Sequence, residues 1–227
     1  MNASETDVAA QEQVRILGIS GSLRKDSFST AILGALARRR SASMSIDVMT
    51  LEEIPHYNED HECPPAVENM KKLIAESDGV LIATPEYDHG IPDVLQNALG
   101  WASRPAFESC FKNKPVSIVS SSLAYQLLAE SPVRNVTQSP ASGRFTGGVR
   151  ALHKLREALV AMQAHLVMGP EVVTGGLVGN VDHSEHYEEG GLPFILQSLE
   201  RLRSEILSRR AFGASGWMMS SGNEEPS

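Results

Sequence analysis

The stretch "ILGISGSLRKDSFST" (Ile16–Thr30) joins an apolar run to the start of a predicted helix. The apolar run ends at two glycines, Gly18 and Gly21, and hydroxyl side chains and an arginine follow them. A short buried strand that turns directly into a helix is typical of the first unit of an α/β domain. The N-terminus of a helix carries unpaired N–H groups and roughly half a positive charge, so this turn is also a candidate anion site.

The residues after Gly21 decide what kind of anion the turn suits. They supply four hydroxyls and one guanidinium, from Ser22, Arg24, Ser27, Ser29 and Thr30. The spacing "GISGS" is not the GxGxxG of a dinucleotide fold, and no GxxxxGK[ST] motif is present. A single terminal phosphate, such as that of FMN, therefore fits better than a nucleoside triphosphate. The simpler alternatives are a tight connection and, for Ser27, an ordinary helix N-cap.

The rest of the chain alternates between strand-like and helix-like segments. Strands are predicted at 14–20, 44–51, 79–84, 115–121 and within 165–173, and helices at 27–40, 66–75, 91–102, 152–162 and 192–206. This alternation predicts an α/β fold: a doubly wound five-stranded parallel sheet with helices on both faces. The common order for five strands is 2-1-3-4-5, which places a ligand at the carboxyl ends of strands 1 and 3. The opening stretch and "TPEYDHG" (84–90) are then neighbours.

Composition narrows the class of protein further. The chain has 227 residues and a formal net charge of −8, which argues against nucleic acid and anionic membranes as partners. No apolar run approaches the ~18 residues of a membrane span, and two cysteines form no disulfide framework. We expect a cytoplasmic protein with a disordered segment at 1–13, one domain at 14–210 and a flexible tail at 211–227.

Two motifs give the sequence a specific resemblance. "GSLRKDSFS" (21–29) is similar to GSLRxxSxN, with Ser29 in place of the asparagine, and "TPEYDHGIPDVLQNALGWASRP" (84–105) is similar to TPEYNxSxPxxLKNAxDWxSRP. The second motif departs from that pattern at Asp88, Gly90, Gln96 and Gly100. Together with "FKNKPVSIVSSS" and "GGVRALHKLREAL", they make the chain resemble the NADPH-dependent FMN reductases of the flavodoxin-like fold. That family includes quinone, azo-dye and chromate reductases.

The resemblance implies a set of cofactor-binding residues. The first motif would hold the FMN phosphate through Ser22, Arg24, Ser27 and Ser29, with Thr30 beside them. The second would lie along the isoalloxazine ring through Pro85, Glu86, Tyr87 and Asp88. The loop after the fourth strand would complete the site with Ser120, Ser121, Gly147 and Gly148. No catalytic side chain and no metal ligand is predicted.

The function that the resemblance implies is an FMN-dependent NAD(P)H oxidoreductase. Hydride would pass from NADPH or NADH through bound FMN to a quinone-like or other small electrophilic acceptor. The family also implies a homodimer or homotetramer. Two alternatives stay open at this point: a non-catalytic flavin-binding redox sensor and a flavodoxin-like electron carrier.

One segment has no counterpart in the resemblance. Splicing "SSS" (120–122) onto "SGRFTGG" would restore a short family-like turn, so residues 123–141 are predicted to be an insertion. Long loops in compact domains tend to be lids, binding loops or disordered segments. A lid that narrows the choice of acceptor and a mobile excursion are equally compatible with its sequence.

Overall fold

The computed structural model describes residues 13–39, 43–121, 148–167, 169, 172–174 and 192–216. The predicted N-terminal segment lies outside this part of the chain except for Gln13. The predicted insertion at 123–141 and the predicted site residue Gly147 also lie outside it.

Strands and helices alternate through the described residues. The strands are β1 (Val14–Ser20), β2 (Met44–Met49), β3 (Gly79–Pro85), β4 (Pro115–Ser121), β5 (His165–Leu166) and β6 (Val172–Thr174). The helices are α1 (Phe28–Arg38), α2 (Pro65–Glu76), α3 (Asp93–Ala102), α4 (Val149–Ala161) and α5 (Leu192–Gly216).

The strands form one parallel sheet in the order β2-β1-β3-β4-β5, with β6 also paired to β4. The predicted 2-1-3-4-5 order and the flavodoxin-like fold class are therefore confirmed. At the centre of the sheet Ser20 of β1 pairs with Ala83 of β3, and Thr84 of β3 pairs with Ser120 of β4. These pairings bring the carboxyl ends of β1, β3 and β4 to one edge.

The fifth strand position differs from the prediction of one strand within 165–173. Pro115 of β4 pairs with His165, and Val119 of β4 pairs with Val172. Val119 follows Pro115 by four residues, whereas Val172 follows His165 by seven, so the edge segment does not keep a continuous register with β4. The edge strand is thus interrupted into β5 and β6. Gly169 lies between β5 and β6, and a glycine weakens a strand interior.

The sheet is buried on both faces because consecutive residues of its central strands point to opposite sides. On one face Leu17 and Ile82 pack in a core cluster that includes side chains of α2, α3 and α4. On the other face Ile16 and Leu81 pack with α1 and α5. The helices on both faces were predicted, and each fully buried Leu or Ile contributes about 1.5–3 kcal/mol.

Several element boundaries differ from the predicted ones, and those of β2, α1, α2 and α4 differ by one to three residues. Pro85 is the last residue of β3 and pairs with Ser121, whereas we predicted that it stops the strand. Helix α3 begins at Asp93 rather than at 91. Helix α5 continues to Gly216, into the segment predicted as a flexible tail.

A polar cluster attaches the loop after β2 to α3. The side chains of Asn97 and Trp101 both donate to the Pro55 carbonyl (2.8 and 2.9 Å), and Asn97 Oδ1 accepts from the Tyr57 N–H at 2.7 Å. The rings of Tyr57 and Trp101 meet edge to face with centroids 4.9 Å apart. These contacts fix α3, which lies within the second motif.

None of the helices in the described part of the chain combines the length and the apolar character that crossing a bilayer requires.

Candidate functional site

The turn between β1 and α1 lies directly against the end of β3. The Gly21 N–H donates to the Ala83 carbonyl at 2.8 Å. A Cβ at Gly21 would lie 2.7 Å from Thr84 Oγ1 and 2.9 Å from Thr84 Cβ, which is closer than real Cβ atoms come. Only glycine therefore allows the chain to pass here, and the turn takes its position from β3.

The predicted hydroxyls lie around the start of α1. Ser27 is the N-cap: its Oγ accepts the Thr30 N–H at 3.4 Å, so its capping role is confirmed. Ser22 Oγ accepts the Arg24 N–H at 3.3 Å, and Thr30 Oγ1 shares a 2.8 Å hydrogen bond with Ser20 Oγ. These local contacts hold the turn in one conformation.

Arg24 is the cation of the turn. Arg24 is exposed, and its guanidinium forms no ion pair with any described residue. The neighbouring exposed residues Lys25 and Asp26 carry opposite charges. Arg24 is thus an unpaired positive charge beside a helix N-terminus within the described structure.

The four helices α1 to α4 differ in what occupies their N-termini. The first turn of α2 contains Glu68, that of α3 contains Asp93, and the N-terminus of α4 is bound by the Glu86 carboxylate. The first turn of α1 contains no acidic residue. A carboxylate neutralises the partial positive charge of a helix N-terminus. Of these four termini, α1 is therefore the one suited to an added anion.

The end of β3 continues into a tight reverse turn, from Tyr87 to Gly90. The two residues exchange backbone hydrogen bonds of 3.0 and 2.8 Å. Asp88 (φ 45°) and His89 (φ 63°) both have positive φ, which is the pattern of a type I′ turn. Asp and Asn are preferred at the first central position of such a turn. The turn thus supplies its own reason for Asp88, an exposed residue whose predicted contact with the flavin stays a prediction.

Tyr87 connects the two motifs. Its phenol oxygen lies 3.5 Å from Ser22 Oγ, at the limit of a hydrogen bond, while 42% of the residue stays exposed. The prediction that residues 16–30 and 84–90 are neighbours is confirmed by this contact and by the pairing of β1 with β3. An exposed aromatic ring between the two loops can pack against a flat ligand.

The Glu86 side chain makes contacts that the sequence did not predict. Its Oε2 accepts three N–H groups at the start of α4: Gly148 at 2.7 Å, Arg150 at 3.1 Å and Ala151 at 3.4 Å. Gly148 has φ 95° and is buried at the N-cap of α4. The resemblance implies that Gly148 contacts the cofactor, whereas in this structure the Gly148 N–H donates to the Glu86 carboxylate.

The remaining predicted residues are less accessible. Ser29 and Ser120 have no exposed surface, so a contact with a cofactor would require their surroundings to move. Ser121 ends β4, where its backbone pairs with Pro85 and Thr174. Pro85 is half-buried at the end of β3.

The arrangement fits a molecule that has an anionic end and a flat end. The anionic end would meet the terminus of α1, whose first turn has no carboxylate, with Ser22, Arg24 and Ser27 in the turn before it. The flat end would lie along residues 85–88, one strand away. In the described ranges no group of three or more His, Cys, Asp or Glu side chains could hold a metal ion.

The fold and these two adjoining loops define a flavodoxin-like α/β protein with a candidate ligand site at the β1–β3 edge. The model of the NADPH-dependent FMN reductase family matches residues 14–177, which is more than half of the chain. The chain belongs to the NADPH-dependent FMN reductase family.

Individual relatives agree with this assignment. An NAD(P)H-dependent FMN reductase of Pseudomonas aeruginosa is 38% identical over 165 residues, which cover 71% of this chain and 78% of the relative. An NADPH:quinone oxidoreductase of Arabidopsis thaliana is 30% identical over 215 residues, covering 92% and 96%. The solved structure of the flavoenzyme NAD(P)H:(acceptor) oxidoreductase of Paracoccus denitrificans has a TM-score of 0.58 at 23% identity. That alignment covers 86% of this chain and 96% of the other, and it supports the fold.

Proposed function

We propose that this protein is an FMN-dependent NAD(P)H oxidoreductase that reduces quinone-like or other small electrophilic acceptors. Family membership supports the flavin and the nicotinamide, and relatives described as quinone reductases support the acceptor class. The sequence shows no preference between NADPH and NADH.

The observation that carries the proposal is that the first turn of α1 contains no acidic residue. The N-terminus of α1 lies at the β1–β3 edge, and Ser22, Arg24 and the N-cap Ser27 belong to the turn that leads into it. In a protein of net charge −8, a phosphate needs such a local concentration of donors. Each hydrogen bond to a charged group contributes about 1.5–3 kcal/mol.

The ring would lie along the backbone of Pro85, Glu86 and Tyr87, where the type I′ turn fixes the path of the chain. Bound FMN would supply the hydride relay between nicotinamide and acceptor. The protein's own contribution is then orientation: Tyr87 offers an aromatic face, and the two loops share one rigid sheet edge. No side chain is assigned as general acid, base or nucleophile.

The proposal is tested by titrating the flavin-free protein with FMN and with riboflavin, which lacks the phosphate. We expect FMN to bind at least about 100-fold more tightly, because two or more charge-assisted hydrogen bonds are lost with the phosphate. The FMN-loaded protein should then oxidise NADPH or NADH when a benzoquinone is added. Equal affinity for the two flavins would contradict the phosphate site, and flavin binding without nicotinamide oxidation would favour a sensor or carrier.

We also propose that the protein acts in the cytoplasm as a homodimer or homotetramer. The described residues include two free cysteines, Cys63 and Cys110, which suits a reducing compartment. Exposed apolar side chains such as Phe107 (82% exposed) are available for subunit contacts. Light scattering on the purified protein measures the assembly, and a monomer at micromolar concentration would contradict it.

A further inference from the structure

Glu86 joins two parts of the site that are far apart in the sequence. It follows β3 directly, and its carboxylate binds the N-terminus of α4, which begins 63 residues later. One oxygen, Oε2, accepts from Gly148, Arg150 and Ala151, and only 12% of the side chain is exposed. A largely buried carboxylate with three N–H donors is a strong and directional contact.

Helix α4 depends on this contact because it has no cap of its own. Its N-cap residue is Gly148, which offers no side chain, and its first turn contains no acidic residue. The first N–H groups of a helix need partners from outside the helix. Glu86 supplies them and brings a negative charge to the positive end of the helix dipole.

A second contact runs parallel to the first. The guanidinium of Arg150 donates to His89 Nδ1. His89 Nδ1 also lies 3.7 Å from Glu86 Oε1. His89 is one of the two turn residues with positive φ. The loop 86–90 is therefore fastened to α4 at both of its ends, by Glu86 near β3 and by His89 at the turn.

We propose that Glu86 is a positioning residue for the flavin ring: its side chain holds the loop 85–88 against α4 so that the loop backbone keeps one conformation beside the ring. The inference rests on the proposed function and deepens it. The Glu86 side chain binds the N-terminus of α4, so only the Glu86 backbone is left to contact the cofactor. The Gly148 N–H belongs to the same contact.

Glu86 acts at the ring end, so its loss affects FMN and riboflavin alike. In Glu86→Ala we expect both dissociation constants to rise about tenfold, equivalent to the loss of about 1.4 kcal/mol. The visible circular dichroism of bound flavin should change with them. Glu86→Gln keeps an acceptor oxygen in place, so it should restore most of the affinity and the dichroism. A variant at the phosphate end would instead change FMN binding alone.

Amide hydrogen exchange of Gly148, Arg150 and Ala151 reports the contact without any flavin. Exchange at these amides should accelerate about tenfold or more in Glu86→Ala and much less in Glu86→Gln. Glu157→Ala is the matched control: it removes an exposed carboxylate that pairs with Lys154 on the same helix, and it should change neither flavin binding nor those amides.

The outcomes separate the two claims. If the parent protein binds FMN and Glu86→Ala binds both flavins as tightly as the parent with unchanged dichroism, the inference is wrong and the proposed function stands. The inference is also wrong if the three amides exchange at the parent rate. If the parent binds neither flavin, both the proposed function and the positioning role fail, and the exchange data then describe a helix cap only.

Discussion

Arg24 is the residue on which charge recognition at the site depends. It lies two residues after the buried hydroxyl of Ser22, and its backbone N–H donates to that hydroxyl. The guanidinium extends from this anchored backbone into solvent, where Arg can donate two parallel hydrogen bonds to a phosphate. The backbone holds the residue, so the side chain is free to bind.

We expect Arg24→Ala to raise the dissociation constant for FMN about 10- to 100-fold, which corresponds to the 1.5–3 kcal/mol of a charge-assisted hydrogen bond. Riboflavin affinity should stay within about twofold of the parent, since riboflavin carries no phosphate for the guanidinium. Fluorescence titration of the flavin-free protein measures both constants.

Lys25→Ala is the matched control, because it removes an adjacent exposed positive charge that no described contact holds. A similar loss of FMN affinity in both variants would indicate a general charge effect rather than a specific contact. Arg24→Ala protein that purifies fully loaded with FMN would contradict the assignment.

Single residues also show where sequence patterns stop being informative. The hydroxyls of Ser22 and Ser27 could be placed from the motif and from helix capping, both of which are local. The sequence does not indicate the type I′ turn, because its second central residue is His89, whereas such turns usually carry glycine. The resemblance alone therefore makes Asp88 an altered cofactor contact, although the turn itself accounts for an Asp.

At the level of elements, the site depends on how closely the β1–α1 turn approaches β3. Thr84 and Leu95 occupy the space beside Gly21, and a Cβ there would come within 2.7–3.0 Å of them. The phosphate end of the site therefore takes its position from the strand that leads into the ring end. The two ends should respond together to a change in this contact.

Gly21→Ala is expected to destabilise the protein by about 1–3 kcal/mol, the usual cost of overpacking a well-packed site. Because about 1 kcal/mol shifts Tm by about 2–4 °C in a domain of this size, thermal unfolding followed by circular dichroism detects the change. FMN affinity should fall with it.

Gly34→Ala serves as the comparison within α1. Its Cβ would meet only the end of the Arg38 side chain, at 3.5 Å, and alanine favours a helix by about 0.5–1 kcal/mol. This variant should therefore keep or raise the parent Tm. An unchanged Tm in Gly21→Ala would contradict the tight approach of the turn to β3.

Elements were predictable where their signals are local. The apolar runs of β1, β3 and β4 and the periodic helices fixed the sheet order, because right-handed crossovers leave few alternatives. The interruption of the edge strand has a sequence signal in Gly169, because a glycine within a strand pattern often marks an irregularity. The cap of α4 by Glu86 could not be predicted, because it joins residues 62 or more positions apart.

For the molecule as a whole, the distribution of carboxylates matters more than the total charge. The net charge of −8 would repel a phosphate, yet the first turns of α2 and α3 contain a carboxylate and Glu86 binds the N-terminus of α4, whereas the first turn of α1 has no acidic residue. The fold thus leaves one of these four positive helix ends for an anion. The turn that leads into this end also adjoins the loop 85–88, through the contact between Ser22 and Tyr87.

The central claim is that this edge of the sheet binds FMN and exposes it to a nicotinamide. Its most direct test is the visible spectrum of the FMN-loaded protein during anaerobic addition of NADPH or NADH, followed by a quinone. We predict that the flavin absorbance is lost on addition of at least one nicotinamide and returns when the quinone is added. Flavin absorbance that persists with both nicotinamides, or a protein that retains no FMN, would contradict the account.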